Sequence, residues 1–453
     1  MSSPNHNTYG GWLPQNPDII WAFFVERVKE AKKTIELSGG DVVHHPAVEA
    51  FKKAIEADQH MNTLFGQIFE QAKAWGEYHQ VKSFEMLLGI LDIILKSGPP
   101  FQFTLNGTVG EPVGVPIYVT LDVLSNTAAA YDLFRLPDFN EAMKDLLNTW
   151  GNYLSTDPTS SLVLHRNDEG WFGGAGTTQL EMNLRGRTFD QTYISPDETK
   201  PDRGYPTWDA FFVREFKEGV RPIESRGQDT QDRLIHSACE STMFHKAEEV
   251  GAHNLFWLKS RNYSMHEILN RDAEMVPKFV GGTIYQAFLS PLDYHRWHAP
   301  INCTVERIVT VKGGLAPGGT VDTVGGGTYY AAIPDTGVAE NPGDHGNPHG
   351  ALIRSQSFLS IVATRVLIYI RSRNEDIGLI CFVGVGMVEV STCEVKVGVG
   401  QEVKIGQELG LFHFGGSTHI LIFGPDCDVH FEPEVGKHIW VNEVIGVVPE
   451  SKK

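Results

Sequence analysis

The first third of the chain places its apolar residues with the period of a helix. After Asn16-Pro17, a capping residue followed by one preset for a first turn, Ile20, Phe24, Val28, Ala31 and Ile35 recur at spacings of four, four, three and four. That stripe predicts one amphipathic helix. Phe51 with Ile55, then Leu64, Ile68, Ala72 and Trp75, continue the pattern, and 84–95 is apolar nearly all round, as a buried helix would be. Segment 139–154 closes the set with Met143, Leu146, Leu147 and Trp150 facing inward. Residues 1–155 therefore read as a helical N-terminal domain.

From 156 to 205 the period is lost among Pro158, Gly170, Gly173, Gly174, Pro196 and Pro201, which predicts a loop-rich linker and a domain boundary. Segment 207–223 reads as a short amphipathic helix ended by Gly219. Beyond it the texture changes to β-rich pieces at 279–290, 305–311, 362–371, 377–390 and 439–448. The Gly/Pro-rich interval 313–350 carries no period and is long enough to serve as a lid or binding loop; His345 and His349 within it read as loop histidines. Segment 395–414 alternates apolar and polar residues around glycine turns, as two hairpins would. This last pattern resembles the barrel-sandwich modules of biotinyl and lipoyl carriers and the C-terminal half of LytM-type zinc peptidases. Lys404 lacks the flanking residues of a carrier lysine, and His419-Ile-Leu-Ile supplies one histidine where the peptidase needs His-x-His. The expected class is α+β, a helical domain followed by a β-rich domain at 206–453 with a barrel-sandwich-like C-terminal part.

Composition narrows the partners. A net charge of −18 over 453 residues repels nucleic-acid phosphates and anionic membrane surfaces. The longest uncharged apolar run, 377–388, carries three glycines and is too short to span a bilayer, so it reads as a buried strand and no integral membrane association is expected. Cys239, Cys303, Cys381, Cys393 and Cys427 are scattered, odd in number and free of CxxC spacing, which predicts reduced thiols and no zinc site. With neither an apolar signal core nor an Arg-rich presequence at the start, a cytoplasmic protein is expected.

Two stretches carry candidate chemistry. Gly415-Gly416 precedes the hydroxyl of Ser417, and glycines permit a sharp turn in which that oxygen approaches the Gly416 carbonyl. A β-turn leading into a strand is the plain alternative. The second stretch, Leu289-Ser-Pro-Leu-Asp-Tyr-His-Arg-Trp-His-Ala-Pro300, holds two histidines three residues apart, able to serve two proton transfers near neutral pH. A metal pair would need a carboxylate or cysteine at a recognised spacing, and none is present.

Tyr294-His-Arg-x-His-x-Pro, followed by Gly-Ser-Thr near the C-terminus and preceded by Phe-Phe-x-Arg and Arg-Pro-Ile, resembles the pyruvoyl-dependent phosphatidylserine decarboxylase family over about 205–450. Within it the chain is more similar to soluble tryptophan decarboxylases than to the lipid enzymes, on Tyr294–Pro300, Glu389–Glu394 and Phe412–Ser417. The resemblance implies that Ser417 attacks the Gly416 carbonyl, shifts amide to ester, and by elimination and hydrolysis leaves a pyruvoyl group on a piece spanning 417–453, with the two fragments staying associated. It further implies His298 as the base for Ser417, Glu240 of Ser237-Ala-Cys-Glu-Ser241 as its orienting acid where the family has aspartate, and His295 as the proton donor during turnover. No diffusible cofactor, neither pyridoxal phosphate nor a metal, is implied. The expected activity is decarboxylation of an aromatic amino acid, with L-tryptophan giving tryptamine and carbon dioxide. Trp297, Phe414 and His419 are candidates to line a substrate slot, and Trp297 and Phe414 equally fit a core. Phosphatidylserine decarboxylation is the alternative with the same residues, and an uncleaved binding or carrier module the alternative of another class.

Overall fold

The strand Ser417–Phe423 runs through the middle of the largest sheet, and every one of its residues is buried. In this computed structural model the described residues are 13–167, 170–253, 263–313, 326–327, 329, 349–351, 355–387, 389, 392–415 and 417–450. Gly416, His345 and most of the 313–350 interval lie outside them. Along one edge the central strand pairs antiparallel with Leu379–Gly386, placing Ser417 opposite Gly386; along the other it pairs with Gly282–Leu289, placing Ser417 opposite Leu289. The sheet continues through Arg365–Ser372, Cys303–Gly313 and Glu402–Val403 on the first side, and through Ser241–Val250 and His438–Ile439 on the second.

The two-residue period of the central strand divides two cores. Ile420 and Ile422 face the first, Leu421 and Phe423 the second. Ser417 and His419 share the parity of Leu421, so they lie on the second-core side. Packed into the first core are α1 (Pro17–Leu37), α2 (Pro46–Ala57), α3 (Gln59–Ala72), α4 (Phe84–Ile94), α5 (Pro116–Ser125), α6 (Ala128–Leu133) and α7 (Pro137–Thr156), together with shorter helices from later in the chain. The cap at α1 is as expected, since the Asn16 side chain accepts from the Asp18 N–H and Pro17 opens the first turn. Helix α5 is buried at all ten positions, so it has no polar face for a periodic pattern to reveal.

Two intervals differ from the expectation. The loop-rich stretch 156–205 is packed into the first core, with Leu164, Trp171, Phe172, Leu180, Phe189, Tyr193 and Tyr205 all buried. Trp171 meets Trp208 edge-on with ring centroids 4.7 Å apart, while Phe172 and Tyr205 stack. The helix expected over 207–223 stops after Trp208–Phe212, because Arg214 is buried and spends its guanidinium on the carbonyls of Leu292 and Asp293. That bond ties the segment beneath the histidine motif.

The second core lies between the large sheet and two three-stranded sheets. One joins Cys393–Val395, Glu408–Phe412 and Arg296–His298; the other joins His430–Phe431, Val444–Val447 and Leu234–His236. The two hairpins expected over 395–414 do not form: Cys393–Val395 pairs with Glu408–Phe412, while Glu402–Val403 between them joins Cys303–Gly313 at the edge of the large sheet, and no closed barrel is present among the described residues. All five cysteines are unpaired. Among the described residues, no helix is long and apolar enough to cross a membrane.

Candidate active site

Ser417 opens the central strand. Its side chain is fully buried, and its Oγ has no hydrogen-bond partner among the described residues. A buried hydroxyl without a partner costs stability, so such atoms mark places where chemistry or an unseen partner compensates. Thr418, on the opposite face, donates to the Ala287 carbonyl at 2.9 Å and accepts from Gln286 Nε2 at 3.2 Å. Those bonds fix the strand's register beside the serine.

The chain reaches Ser417 through a constrained turn. Phe414 has a φ of 74°, a left-handed conformation that costs a non-glycine residue roughly 1–3 kcal/mol. Its half-buried ring is seated on Gly151 of α7, where a β-carbon would stand 2.8 Å from the ring. The helical region thus takes part in shaping the approach to the serine.

The two motif histidines have different surroundings. His295 is fully buried, with its ring 3.9 Å from that of Phe212 and nearly parallel to it. Its Nε2 donates to the Ser290 carbonyl at 2.9 Å, which leaves Nδ1 as a lone pair without a partner among the described residues. Burial outweighs the nearby Asp293 carboxylate and pushes its pKa down to about 3, so the ring is neutral. Ser290 follows Leu289, the register partner of Ser417, so this neutral base is anchored at the serine's end of the sheet. His298 instead donates through Nδ1 to the Gly406 carbonyl at 2.7 Å and accepts at Nε2 from the Tyr294 hydroxyl at 3.0 Å. Burial lowers its pKa as well.

Glu240 is also engaged elsewhere. Both of its oxygens accept from the Arg221 guanidinium, at 2.7 and 2.8 Å, and that guanidinium lies 3.8 Å from the centre of the Trp440 ring. The serine–histidine–glutamate chain implied by the resemblance is therefore not joined by hydrogen bonds here. A desolvated carboxylate binds most strongly to a bidentate cation, and Arg221 supplies it.

The remaining candidates separate by position. Trp297 is enclosed in the second core between Phe382 and Phe412, ring centroids 5.2 and 4.7 Å away, and over Gly410, where a β-carbon would come within 2.7 Å of the indole. That is a packing role. His419 lies between Tyr285 and Phe382, fully buried, with both ring nitrogens unpartnered among the described residues and its pKa pushed down by burial to about 3. Among the described residues no group of three metal-ligating side chains comes together.

The sequence model described as phosphatidylserine decarboxylase matches residues 208–447, and a second of the same description matches 45–180. The chain belongs to the phosphatidylserine decarboxylase family. As a member it is a decarboxylase. It is 44% identical over 369 residues to decarboxylase iboD of Amanita muscaria, covering 80% of this chain and 100% of that one. It is 30% identical over 447 residues to an L-tryptophan decarboxylase of Psilocybe cubensis, covering 97% and 94%. Similarity to phosphatidylserine decarboxylase proenzyme 2 of Oryza sativa subsp. japonica is 29% over 243 residues, or 53% of this chain and 33% of that one.

In this member of the phosphatidylserine decarboxylase family, three site neighbours escaped the sequence reading. Arg221 and Tyr294 stood inside quoted motifs without a role. His413 received none, although its Nδ1 donates to Asp209 at 2.9 Å and its Nε2 to Glu394 at 3.0 Å. Glu389 caps the buried helix α5, its Oε1 accepting from the N–H groups of Ile117 and Tyr118. Only Glu394, paired across a hairpin with Leu411, could have been placed near residue 413 from strand pattern alone.

Proposed function

We propose that the chain is a self-processing, pyruvoyl-dependent decarboxylase of aromatic amino acids, with L-tryptophan the first substrate to test. The observation that carries this reading is the buried, unpartnered Ser417 Oγ directly after the constrained turn at Phe414 and Gly415, at the sheet end where His295 keeps a free lone pair. A serine with a neutral base at the same end of its sheet and a strained backbone ahead of it has the parts for attack on the preceding carbonyl once the base closes on it. His295 Nδ1 accepts the proton from Oγ as that oxygen adds to the Gly416 carbonyl carbon. His298 serves this step, as the family resemblance implies, in a second reading that requires its Nε2 to leave Tyr294.

The residues present fit a pyruvoyl group, because its precursor side chain opens the central strand with a buried oxygen that has no partner among the described residues. Once formed, the group withdraws electrons from the substrate as carbon dioxide leaves. A proton then reaches the substrate's α-carbon from His295 Nδ1, after that nitrogen has taken one up, or from His298, and burial of the His295 ring limits competition from bulk water. Phe414, half-buried beside the serine, and His419, two residues along the same face, are proposed to contact the substrate side chain. The name of the Psilocybe cubensis relative, an L-tryptophan decarboxylase similar over 97% of this chain, supports a free amino acid rather than a lipid, and a cytoplasmic location accords with that choice.

Three measurements test the reading. Denaturing gels of the full chain should separate a large piece from one of 417–453, and mass spectrometry of the small piece should find a ketone that borohydride reduces. The purified protein should then release carbon dioxide and amine from tryptophan. Turnover of phosphatidylserine vesicles without amine release would favour the lipid alternative, and an intact, borohydride-resistant chain would leave only a non-catalytic module.

A further inference from the structure

His413 is the last residue before the turn, one position after the strand Glu408–Phe412 ends and one before the left-handed Phe414. Both ring nitrogens face carboxylates. Nδ1 lies 2.9 and 3.1 Å from the two oxygens of Asp209 on the short helix Trp208–Phe212, and Nε2 lies 3.0 Å from Glu394. Two acceptors on opposite sides of one ring require two donors, which only the doubly protonated imidazole has. The same short helix carries Phe212, whose ring covers His295. One element therefore grips both the segment leading to Ser417 and the histidine with the free lone pair.

We propose that His413 is a positioning residue for self-cleavage, its ring clamped between Asp209 and Glu394 so that the segment leading into Ser417 is held for attack. The proposal rests on the self-processing reading above. Intramolecular attack depends steeply on how closely the reacting atoms are held; besides the two carboxylates, the Phe414 ring on Gly151 and the His413 N–H, which donates to the Thr392 carbonyl at 3.3 Å, locate this segment. The neighbours fix the sign of the pH response. Burial opposes the charge on His413, but Asp209 and Glu394 outweigh it and raise its pKa above the ordinary histidine value; Lys396, bonded to the far side of Glu394, competes for that carboxylate, and the uncharged Phe414 ring stands 5.3 Å away. A raised pKa makes the clamp complete below the ordinary histidine value and releases it as pH climbs through the raised one. His295 is neutral over that whole range, so its titration does not mask the effect.

The test follows splitting of the full chain after cell-free synthesis, read on denaturing gels from pH 6 to 9, beside circular dichroism of each variant. Wild-type splitting is expected to slow at the alkaline end. His413→Gln should split at least about tenfold more slowly at pH 6 and lose the alkaline fall. His413→Arg, a permanent cation between the same carboxylates, should split without that fall, and Asp209→Asn should resemble His413→Gln while folding normally. If wild-type chain splits with Ser417→Ala intact, but His413→Gln and Asp209→Asn match the wild-type rate and profile, the clamp is overturned and self-processing stands. If wild-type chain never splits, both readings fall together.

Discussion

Arg221 holds Glu240 through both carboxylate oxygens, with the two side chains only 3% and 2% exposed. Removing one partner of such a pair strands a buried charge, which typically costs about 3–5 kcal/mol. Arg221→Ala is expected to lose that much stability in urea unfolding. Replacing both residues by apolar ones, Arg221→Met with Glu240→Leu, should recover most of it. If the single and double variants are equally unstable, the pair is not what Arg221 contributes.

The histidines differ by their free nitrogens, and that difference is measurable. Loss of a positioned base costs about 10²–10⁴ in rate. His295→Ala should slow chain splitting by that order, whereas Tyr294→Phe, which frees His298 Nε2, should leave it within a few-fold. A normal rate in His295→Ala together with a collapse in His298→Ala transfers the base role to His298.

Glu389 gives stability a pH dependence. Burial pushes its carboxyl up to about 8, from an ordinary value of 4.5, against the two backbone donors of α5 that favour the charged form. The folded state then holds a proton that the unfolded chain has released, so stability is greatest below pH 4.5 and falls as pH rises toward 8. This is the contribution of Glu389 alone, opposed in acid by carboxylates held low such as Asp293 and Asp190, and Glu389→Gln should flatten the change in melting temperature between pH 5 and 8. An unchanged slope would assign it to another group.

His419 has two buried ring nitrogens with no partner among the described residues. Each such group costs on the order of 1 kcal/mol or more relative to an apolar side chain of similar size. His419→Leu is expected to raise the melting temperature and, if the ring meets the substrate, to raise KM for the amino acid with splitting unaffected. A lower melting temperature would mean that the ring has a bonded partner.

The parts legible in the sequence were those that repeat. The cap at Asn16-Pro17 and the stripe Ile20–Phe24–Ala31 marked α1, and the apolar run after Thr418 marked the central strand. Helix α5 gave no stripe because all its faces are covered, and the aromatic residues of 171–205 pack without a period. The motif residues Ser417, His295 and His298 stood out through resemblance, but their bonding did not. Asp209 meets His413 across 204 residues of sequence, a distance at which spacing carries no signal. Glu240 was expected to orient a histidine, and only packing reveals the guanidinium 19 residues upstream that occupies it.

Ser417–Phe423 is zipped to a neighbour along each of its long edges. A polypeptide whose new end arose at residue 417 would be the keystone of the sheet and not a tail upon it. Such an end never needs to find its seat, and it cannot be drawn out without dismantling the arch around it. Mixing separately made halves should therefore rebuild the enzyme poorly, however well each half is made.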